Sequence, residues 1–446
     1  MSIWRNFKKA VAIAAFLMVS GGMNAQEQSD GTLSLTLDKA VEIALDQNLT
    51  VKIADEEITR VDWLRKENWY ALFPDLNGSA QYTNNVLKPV FFSDFFPGGK
   101  MEVGSTHSYA VTGSVSVPIL SMPLFKSIQL SELELKSALE SARGARIELV
   151  TEVKKSFFGI LMARESLRVL EESYSNAKET ADNIRKMYEN GLASEYDMIR
   201  SDVSVRNITP SIEQAKNGLE LAKMQLKVLL SLDITAPVDV EGEISDYRDE
   251  IEASAPSLPA MLEGNSNLRA LEIQLATMNK NYELIRSQRL PSLAGFANYQ
   301  LQMQNNEFTF NEQWTNSFAV GLSLQIPIFN KMSVNLKEKQ TKSGIRQIEY
   351  QKELLNNNLR LSLKNSINEM RRAKVQLESD EEAVRQARKG YEIAKVRYET
   401  GSGTLLELND TEIALTNARL NLNQTIFDYV NARAEYEKVL GNESVK

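Results

Sequence analysis

The sequence predicts a mainly α-helical protein with a membrane β-barrel, built as a two-repeat protomer with long coiled-coil helical hairpins and four strands. Three observations carry this prediction. The chain repeats itself: Phe73-Pro-Asp-Leu-Asn-Gly-Ser-Ala-Gln-Tyr82 returns 217 residues later as Leu290-Pro-Ser-Leu-Ala-Gly-Phe-Ala-Asn-Tyr299, and Tyr188-Glu-Asn-Gly191 returns 210 later as Tyr398-Glu-Thr-Gly401. Apolar residues recur every seven positions over stretches far longer than an ordinary globular helix. Four short segments switch to a period of two, with one apolar and one uncharged polar face.

Taken in chain order, the first 25 residues read as a secretory signal peptide. Arg5, Lys8 and Lys9 precede the apolar run 10–19 and the small-residue stretch 20–25. That run is too short to span a bilayer, and no later stretch reaches the roughly 18 to 20 apolar residues a transmembrane helix needs. An exported chain without a helical anchor is expected. The first repeat should occupy 26–232, with strands at about 75–118 and a helical hairpin at about 122–232. A linker or equatorial segment covers 233–258. The second repeat should occupy 259–446, with strands at about 292–327 and a hairpin at about 331–440.

In the strand regions, Leu76, Gly78, Ala80 and Tyr82 alternate with Asn77, Ser79, Gln81 and Thr83, and Tyr109, Val111, Val115 and Val117 with Ser108, Thr112, Ser114 and Ser116. The second copy supplies Leu293, Gly295, Ala297, Tyr299 and Leu301, then Phe318, Val320, Leu322, Leu324 and Ile326, each row against polar neighbours. Pro118 and Pro327 are expected to end the second strand of each pair. The repeat offset falls from 217 to 209 across this region, so the first loop is longer; it holds the aromatic stretch Phe91 to Phe96. Alternation alone fits a soluble sheet with one buried face. Export, the nearly uncharged polar face and the length of the helices favour lipid outside and water inside. Four strands cannot close a membrane barrel, so several chains must share one.

Residues 122 to 189 should form one helix of about 100 Å at 1.5 Å per residue. Val153, Ile160, Leu167, Tyr174, Ala181 and Tyr188 form its seam, with Leu149, Ser156, Ala163, Leu170, Ala177 and Ile184 beside them. In the second arm the seam is Leu363, Met370, Leu377, Val384, Tyr391 and Tyr398, flanked by Leu359, Ser366, Ala373, Asp380, Ala387 and Ala394. A strict seven-residue repeat imposes a left-handed supercoil. Gly191 and Gly401 can close these helices in a left-handed conformation, and Ser194-x-x-Asp197 and Thr404-x-x-Glu407 have capping-box spacing for the descending helices. Pro210 should kink the first descending helix, and its counterpart Leu420 should not.

Composition narrows the chemistry. Removing Arg5, Lys8 and Lys9 from 51 basic residues leaves 48 against 59 acids, a charge of about −11, and no basic cluster suggests nucleic acid. There is no cysteine and one histidine, His107, so disulfides, lipid attachment through cysteine, a cysteine nucleophile and a nitrogen–sulfur metal site within one chain are all excluded. Pro97-Gly-Gly-Lys100 lacks the upstream glycine of a phosphate loop. No cofactor is expected, and any transport would be passive.

The order of these features, each occurring twice, resembles the TolC-like outer-membrane efflux protein family over essentially all of the mature chain. The resemblance rests on the two Pro-x-Leu strand entries, on Val117-Pro118-Ile119 with Ile326-Pro327-Ile328, and on the tips at Tyr188 to Gly191 and Tyr398 to Gly401. It implies a homotrimer, a twelve-stranded barrel in outer-membrane lipid, and an α-helical tunnel crossing the periplasm. It also implies a periplasmic adaptor protein and an inner-membrane transporter as partners. Asp197, Glu407 and Asp410 match acidic positions near the narrow periplasmic entrance, while Tyr188, Gly191, Tyr398 and Gly401 mark tips suited to adaptor docking. Capping is the competing reading for Asp197 and Glu407; Asp410, one turn deeper, is not explained by a cap, and Arg200 stands there in the first copy. The tyrosines also read as the last seam residues. Three departures stand out: Asn48 and Asn265 are followed by Leu49 and Ser266 instead of the family's proline, and Gly403 occupies the position of a gate arginine. A passive export duct of a tripartite efflux or type I secretion system is the leading functional expectation. A periplasmic coiled-coil adaptor or spacer is the alternative.

Overall fold

The structure, a computed structural model, describes residues 33–92, 95, 98–253, 262–310 and 313–442. The expected signal peptide lies outside them. The first half runs β1 (Leu33–Leu35), α1 (Leu37–Gln47), α2 (Leu49–Tyr70), β2 (Asp75–Asn84), β3 (Val90–Phe92), β4 (Lys100–Glu102), β5 (His107–Leu120), α3 (Met122–Glu189) and α4 (Glu195–Leu229). After β6 (Val238–Val240), a 3-10 turn at Ile244–Tyr247 and α5 (Arg248–Ala253), the second half runs α6 (Ser266–Ser287), β7 (Ser292–Asn305), β8 (Thr315–Gln325), α7 (Ser333–Glu399) and α8 (Leu405–Leu440). Both halves therefore follow the order helix, strand pair, long hairpin.

Each half is tied at its base by an asparagine. Asn48 breaks the line of α1 and α2: its Oδ1 accepts from Thr50 N at 2.7 Å while its Nδ2 donates to Leu229 O, at the end of α4, at 2.8 Å. Asn265 does the same for α6, accepting from Leu268 N at 3.0 Å and donating to Val439 O, near the end of α8, at 2.9 Å. One side chain thus satisfies an orphan amide at one helix start and an orphan carbonyl at another helix end. The missing proline after each asparagine costs neither half this clamp.

α3 is the spine. Its apolar residues pack against α1 and α2 on one side and against α4, α6 and α8 on others. The main core gathers around Val153, Phe157, Ile160 and Leu161 of α3, with Leu226 and Leu230, Met370 and Leu377, and Tyr429 and Val430. Segment 233–253 is no bare linker. β6 pairs in parallel with β1, Leu33 opposite Val238 and Leu35 opposite Val240, and buries Val238, Val240, Ile244 and Ile251 in that core.

The second arm's seam is buried at Leu363, Met370 and Leu377 and half-buried at Val384, Tyr391 and Tyr398. The first arm's differs. Leu149, Val153, Ile160, Ala177, Ala181 and Ile184 are buried, but Leu167, Leu170 and Tyr174 are only half-buried, Tyr188 is 39% exposed, and Val169 and Ser173 take over the interior midway. The cause is that α3 faces two partners there, α4 and α8, so a single two-residue stripe does not describe its buried face. α4 runs on through Pro210 as a continuous helix.

The four long strands form one antiparallel sheet in the order β2-β5-β7-β8. Pro118 does not end β5. The strand continues to Leu120 through an irregularity, and because β2 begins opposite Ser116, Pro118 is paired on its β7 side alone, where a missing N–H is tolerated. The long first loop forms its own hairpin, β3 with β4, which the sequence pattern does not announce.

Asn265→Ala should cost about 2 kcal/mol, from the lost cap and a bond within a buried site, measured by denaturant unfolding followed by far-ultraviolet circular dichroism. Asn48→Ala should cost a similar amount, and Asn85→Ala, which removes one half-buried hydrogen bond to Ser105 O and no cap, no more than about 1 kcal/mol.

Candidate functional site

Two surfaces carry the expected function: the outward face of the sheet and the hairpin tips. Cross-strand register places Leu76 opposite Val115, Val111 opposite Leu301, Tyr299 opposite Phe318, Ala297 opposite Val320 and Leu293 opposite Leu324. All the apolar rows share one face. On β8, Phe318, Val320, Leu322 and Leu324 are 68, 70, 68 and 61% exposed, and the alternation continues through Ile326 and Ile328. Leaving such side chains in water forfeits about 1.5–3 kcal/mol each. The opposite face holds Ser, Thr, Asn and Gln with one bulky exception, Phe296, whose ring lies over Gly321; a Cβ there would sit 2.7 Å from it. Aromatic residues mark both ends of the apolar band. Tyr82, Tyr109, Phe308 and Phe310 cluster at one end, with ring centroids 4.8 to 6.3 Å apart. Trp69, Tyr70 and Phe73 stand exposed at the other. His107 stacks on Tyr82 and receives or gives a 2.8 Å hydrogen bond at Nδ1. Among the described residues, no helix is long and apolar enough to cross a membrane.

The tips are near copies of one another. Gly191 and Gly401 have φ of 68° and 71°, and Leu192 N and Ser402 N reach back to Met187 O and Arg397 O at 2.7 and 2.8 Å. Ser194 Oγ accepts from Asp197 N at 3.1 Å and Thr404 Oγ1 from Glu407 N at 3.2 Å. Only half of each expected capping box forms. Ser194's hydroxyl donates to Asp197 Oδ2 at 2.7 Å, and Glu407 lies 3.5 Å from Arg397 Nη1. Asp410 is exposed and has no ion pair among the described residues. Arg200, its counterpart, bonds Tyr196 Oη at 3.3 Å and lies over that ring. Asp197 of the first hairpin and Tyr398 of the second face each other: burial first, then the Asp197 charge, holds the Tyr398 phenol above its ordinary range. Tyr188 has no such counterpart contact and stays exposed at its own tip.

Gly403 has a steric reason. Its N–H donates to Arg397 O at 2.9 Å, and a Cβ would lie 2.9 Å from Arg397 Cβ and 3.2 Å from Tyr398 N. The cation beside Glu407 is Arg397, six residues before Gly403.

Sequence reasoning missed the charged groups between the hairpins. Lys154 pairs with Glu437 at 2.7 Å, Lys438 with Glu148 at 2.7 Å, Arg419 with Glu172 and Lys155 with Glu435, all joining α3 to α8. Buried Asp380 accepts from Thr425 and Gln376. Its place in the small-residue line was the available signal. Glu412 is buried in line with Leu405 and Leu408, a stripe of α8 that could have been traced. A groove of about 570 Å³ between α3, α7 and α8 is lined by Lys155, Glu369, Arg372, Asp428 and Glu435, whose charges are paired with one another. No metal-holding group of His, Cys, Asp and Glu occurs among the described residues.

An exposed apolar sheet face, a polar opposite face and hairpins of this length are those of an outer-membrane channel chain. The chain belongs to the outer membrane efflux protein family, whose profile matches residues 41–231 and 258–442. It is 19% identical over 331 residues to the outer membrane protein TolC of Vibrio cholerae, covering 71% of this chain and 73% of that one. It is 21% identical over 416 residues to the solvent efflux pump outer membrane protein SrpC of Pseudomonas putida, covering 91% and 85%. Its fold matches the Campylobacter jejuni CmeC outer membrane channel with a TM-score of 0.75 at 17% identity, over 94% of this chain and 90% of that one. The family is one of channel proteins, not enzymes, and its localisation is the outer membrane.

Gly403→Arg should strain the second tip by about 1–3 kcal/mol. Hydrogen exchange should rise at 398–406 and stay unchanged at the first tip, 188–196.

Proposed function

We propose that the chain is one protomer of a passive homotrimeric export duct, in which three four-stranded sheets close a twelve-stranded barrel in outer-membrane lipid. The observation that supports this most is the pair of open edges on β2 and β8, flanking a sheet whose outer strand β8 exposes its apolar row from Phe318 to Leu324. Unpaired strand edges do not persist in lipid, and closure by further copies satisfies both edges at once. The exposed apolar residues of α4 (Ile199, Val203, Leu221, Val228) and α7 (Leu354, Leu361, Val375, Ile393) suit the same copies and extend the barrel as an α-helical tunnel.

In this reading Asp197, Glu407 and Asp410 surround the periplasmic entrance, and the tips at Tyr188, Gly191, Tyr398 and Gly401 dock a periplasmic adaptor protein that joins the duct to an inner-membrane transporter. The energy comes from that transporter. The signal peptide at 1–25 delivers the chain, and the two repeats keep the boundaries given above. Relatives export different cargoes, solvents for SrpC of Pseudomonas putida and an alkaline protease for AprF of Pseudomonas aeruginosa, and the cargo of this duct is set by its inner-membrane partner.

Native mass spectrometry in detergent should give three chains; a stable monomer that keeps its strand content would refute the closure. Because Arg397 offsets Glu407, Asp410 is the one of the second tip's two candidate acids without an ion pair among the described residues. Asp410→Asn should therefore lower cation selectivity and weaken multivalent-cation block in planar bilayers without touching the Thr404 cap. Equal selectivity and block in both proteins would make Asp410 an ordinary solvated residue.

A further inference from the structure

We propose that Glu412 is a proton-operated latch between the two hairpins, neutral when the second hairpin packs on the first and ionised when their entrance ends separate. The proposal deepens the reading of the tips as the entrance and rests on it. Glu412 follows Leu405 and Leu408 along the inward stripe of α8, and all three are buried, at 3, 2 and 6% exposure. Its Oε1 meets Ser173 Oγ of α3, also buried, at the long distance of 3.5 Å. Tyr391 and Lys395 of α7 face it, and Tyr391 in turn faces Glu179 of α3 and Glu399 of α7. Lys395 is the cation that acts on it, and that ammonium lies 4.0 Å from Glu179. Glu412 itself has no ion pair among the described residues. Elsewhere along the α3–α8 contact carboxylates meet cations: Glu172 with Arg419, Glu435 with Lys155, Glu437 with Lys154 and Glu148 with Lys438. A buried carboxylate lacking that compensation is costly in its charged form and acceptable in its neutral form.

Burial pushes the Glu412 carboxyl up to about 7, against the opposing effects of Ser173 and Lys395. The sign follows from proton binding. A carboxyl raised above its ordinary value of 4.5 holds its proton in the packed state and releases it in the open one. Packing is strongest at acid pH, weakens as pH rises through the interval from 4.5 to about 7, and levels off above it. The neighbouring Tyr391 phenol, pushed up to about 12 by burial and by Glu412 and Glu179, stays neutral throughout. A trimer carries three such latches at one level, each joining the two hairpins of a single chain, so a small change in pH is read three times.

Hydrogen exchange of the full-length channel in detergent, corrected for the pH dependence of intrinsic exchange, tests this over 168–180 and 405–420. About tenfold greater protection is expected at pH 6 than at pH 8. Glu412→Gln should hold the pH 6 protection at both values, and Glu171→Gln, at an exposed carboxylate of α3, should keep the wild-type dependence. No pH difference in the wild type, or an undiminished one in Glu412→Gln, overturns the latch. Should Glu412→Gln fail to insert, Ser173→Val removes the one hydrogen bond that favours the charged form and must move the midpoint upward; an unmoved midpoint overturns the proposal equally. Exchange needs no transported cargo, so the result stands whether or not the channel conducts.

Discussion

A backbone in hydrocarbon must satisfy its hydrogen bonds within protein, and most of this chain's architecture depends on that constraint. The sheet has four strands and therefore two unpaired edges, β2 and β8. Its apolar rows remain exposed along the full length of β8. A soluble protein would blunt or cover such edges with charges, prolines or a helix. Here the outward rows of the long strands carry no charge at all, which leaves lipid on the face and further copies at the edges as the compatible environment.

The same chain must also support helices of 68 and 67 residues, and these are too long to be stabilised by one compact core. The apolar core is concentrated near the base, where β1, β6 and α5 close over α3 and where the two asparagines tie helix starts to helix ends. The contact between the hairpins is mixed: Met370, Leu377, Tyr429 and Val430 share the apolar core with α3, and ion pairs run beside it from Glu148 with Lys438 to Glu172 with Arg419. Ion pairs exposed at such a seam contribute little each, about 0–1 kcal/mol. Toward the tips that core gives way to partly exposed pairs, Glu172 with Arg419 and Lys395 with Glu179, so the hairpins hold each other more firmly at the base than at their ends.

Much of this was legible from residues. The seven-residue rows at Leu363, Met370 and Leu377, the period-two rows of β7 and β8, and the glycines at 191 and 401 each follow from a local rule, and each appears where that rule puts it. Features that depend on distant partners were not legible. Seam drift at Val169 and Ser173 arises because α3 meets α8 as well as α4. Pro118 survives inside β5 because β2 has already ended beside it. Among the candidate acids, Glu407 turned out to be offset by Arg397, a pairing set by how the turn at Gly403 folds back. The burial of Glu412 needed the descending helix's own stripe, and periodicity there is interrupted by the very residue that matters.

The two halves agree closely in backbone and disagree in charge, and this bears on symmetry. Arg200, stacked on Tyr196, occupies the level that Asp410 holds in the second copy. In the proposed trimer the six hairpin ends would form a ring nearly sixfold in shape and only threefold in charge at this level, where Arg200 and Asp410 alternate. A partner ring of six identical subunits would then find two kinds of end instead of one. It would adopt two alternating modes of contact, or bind as three pairs.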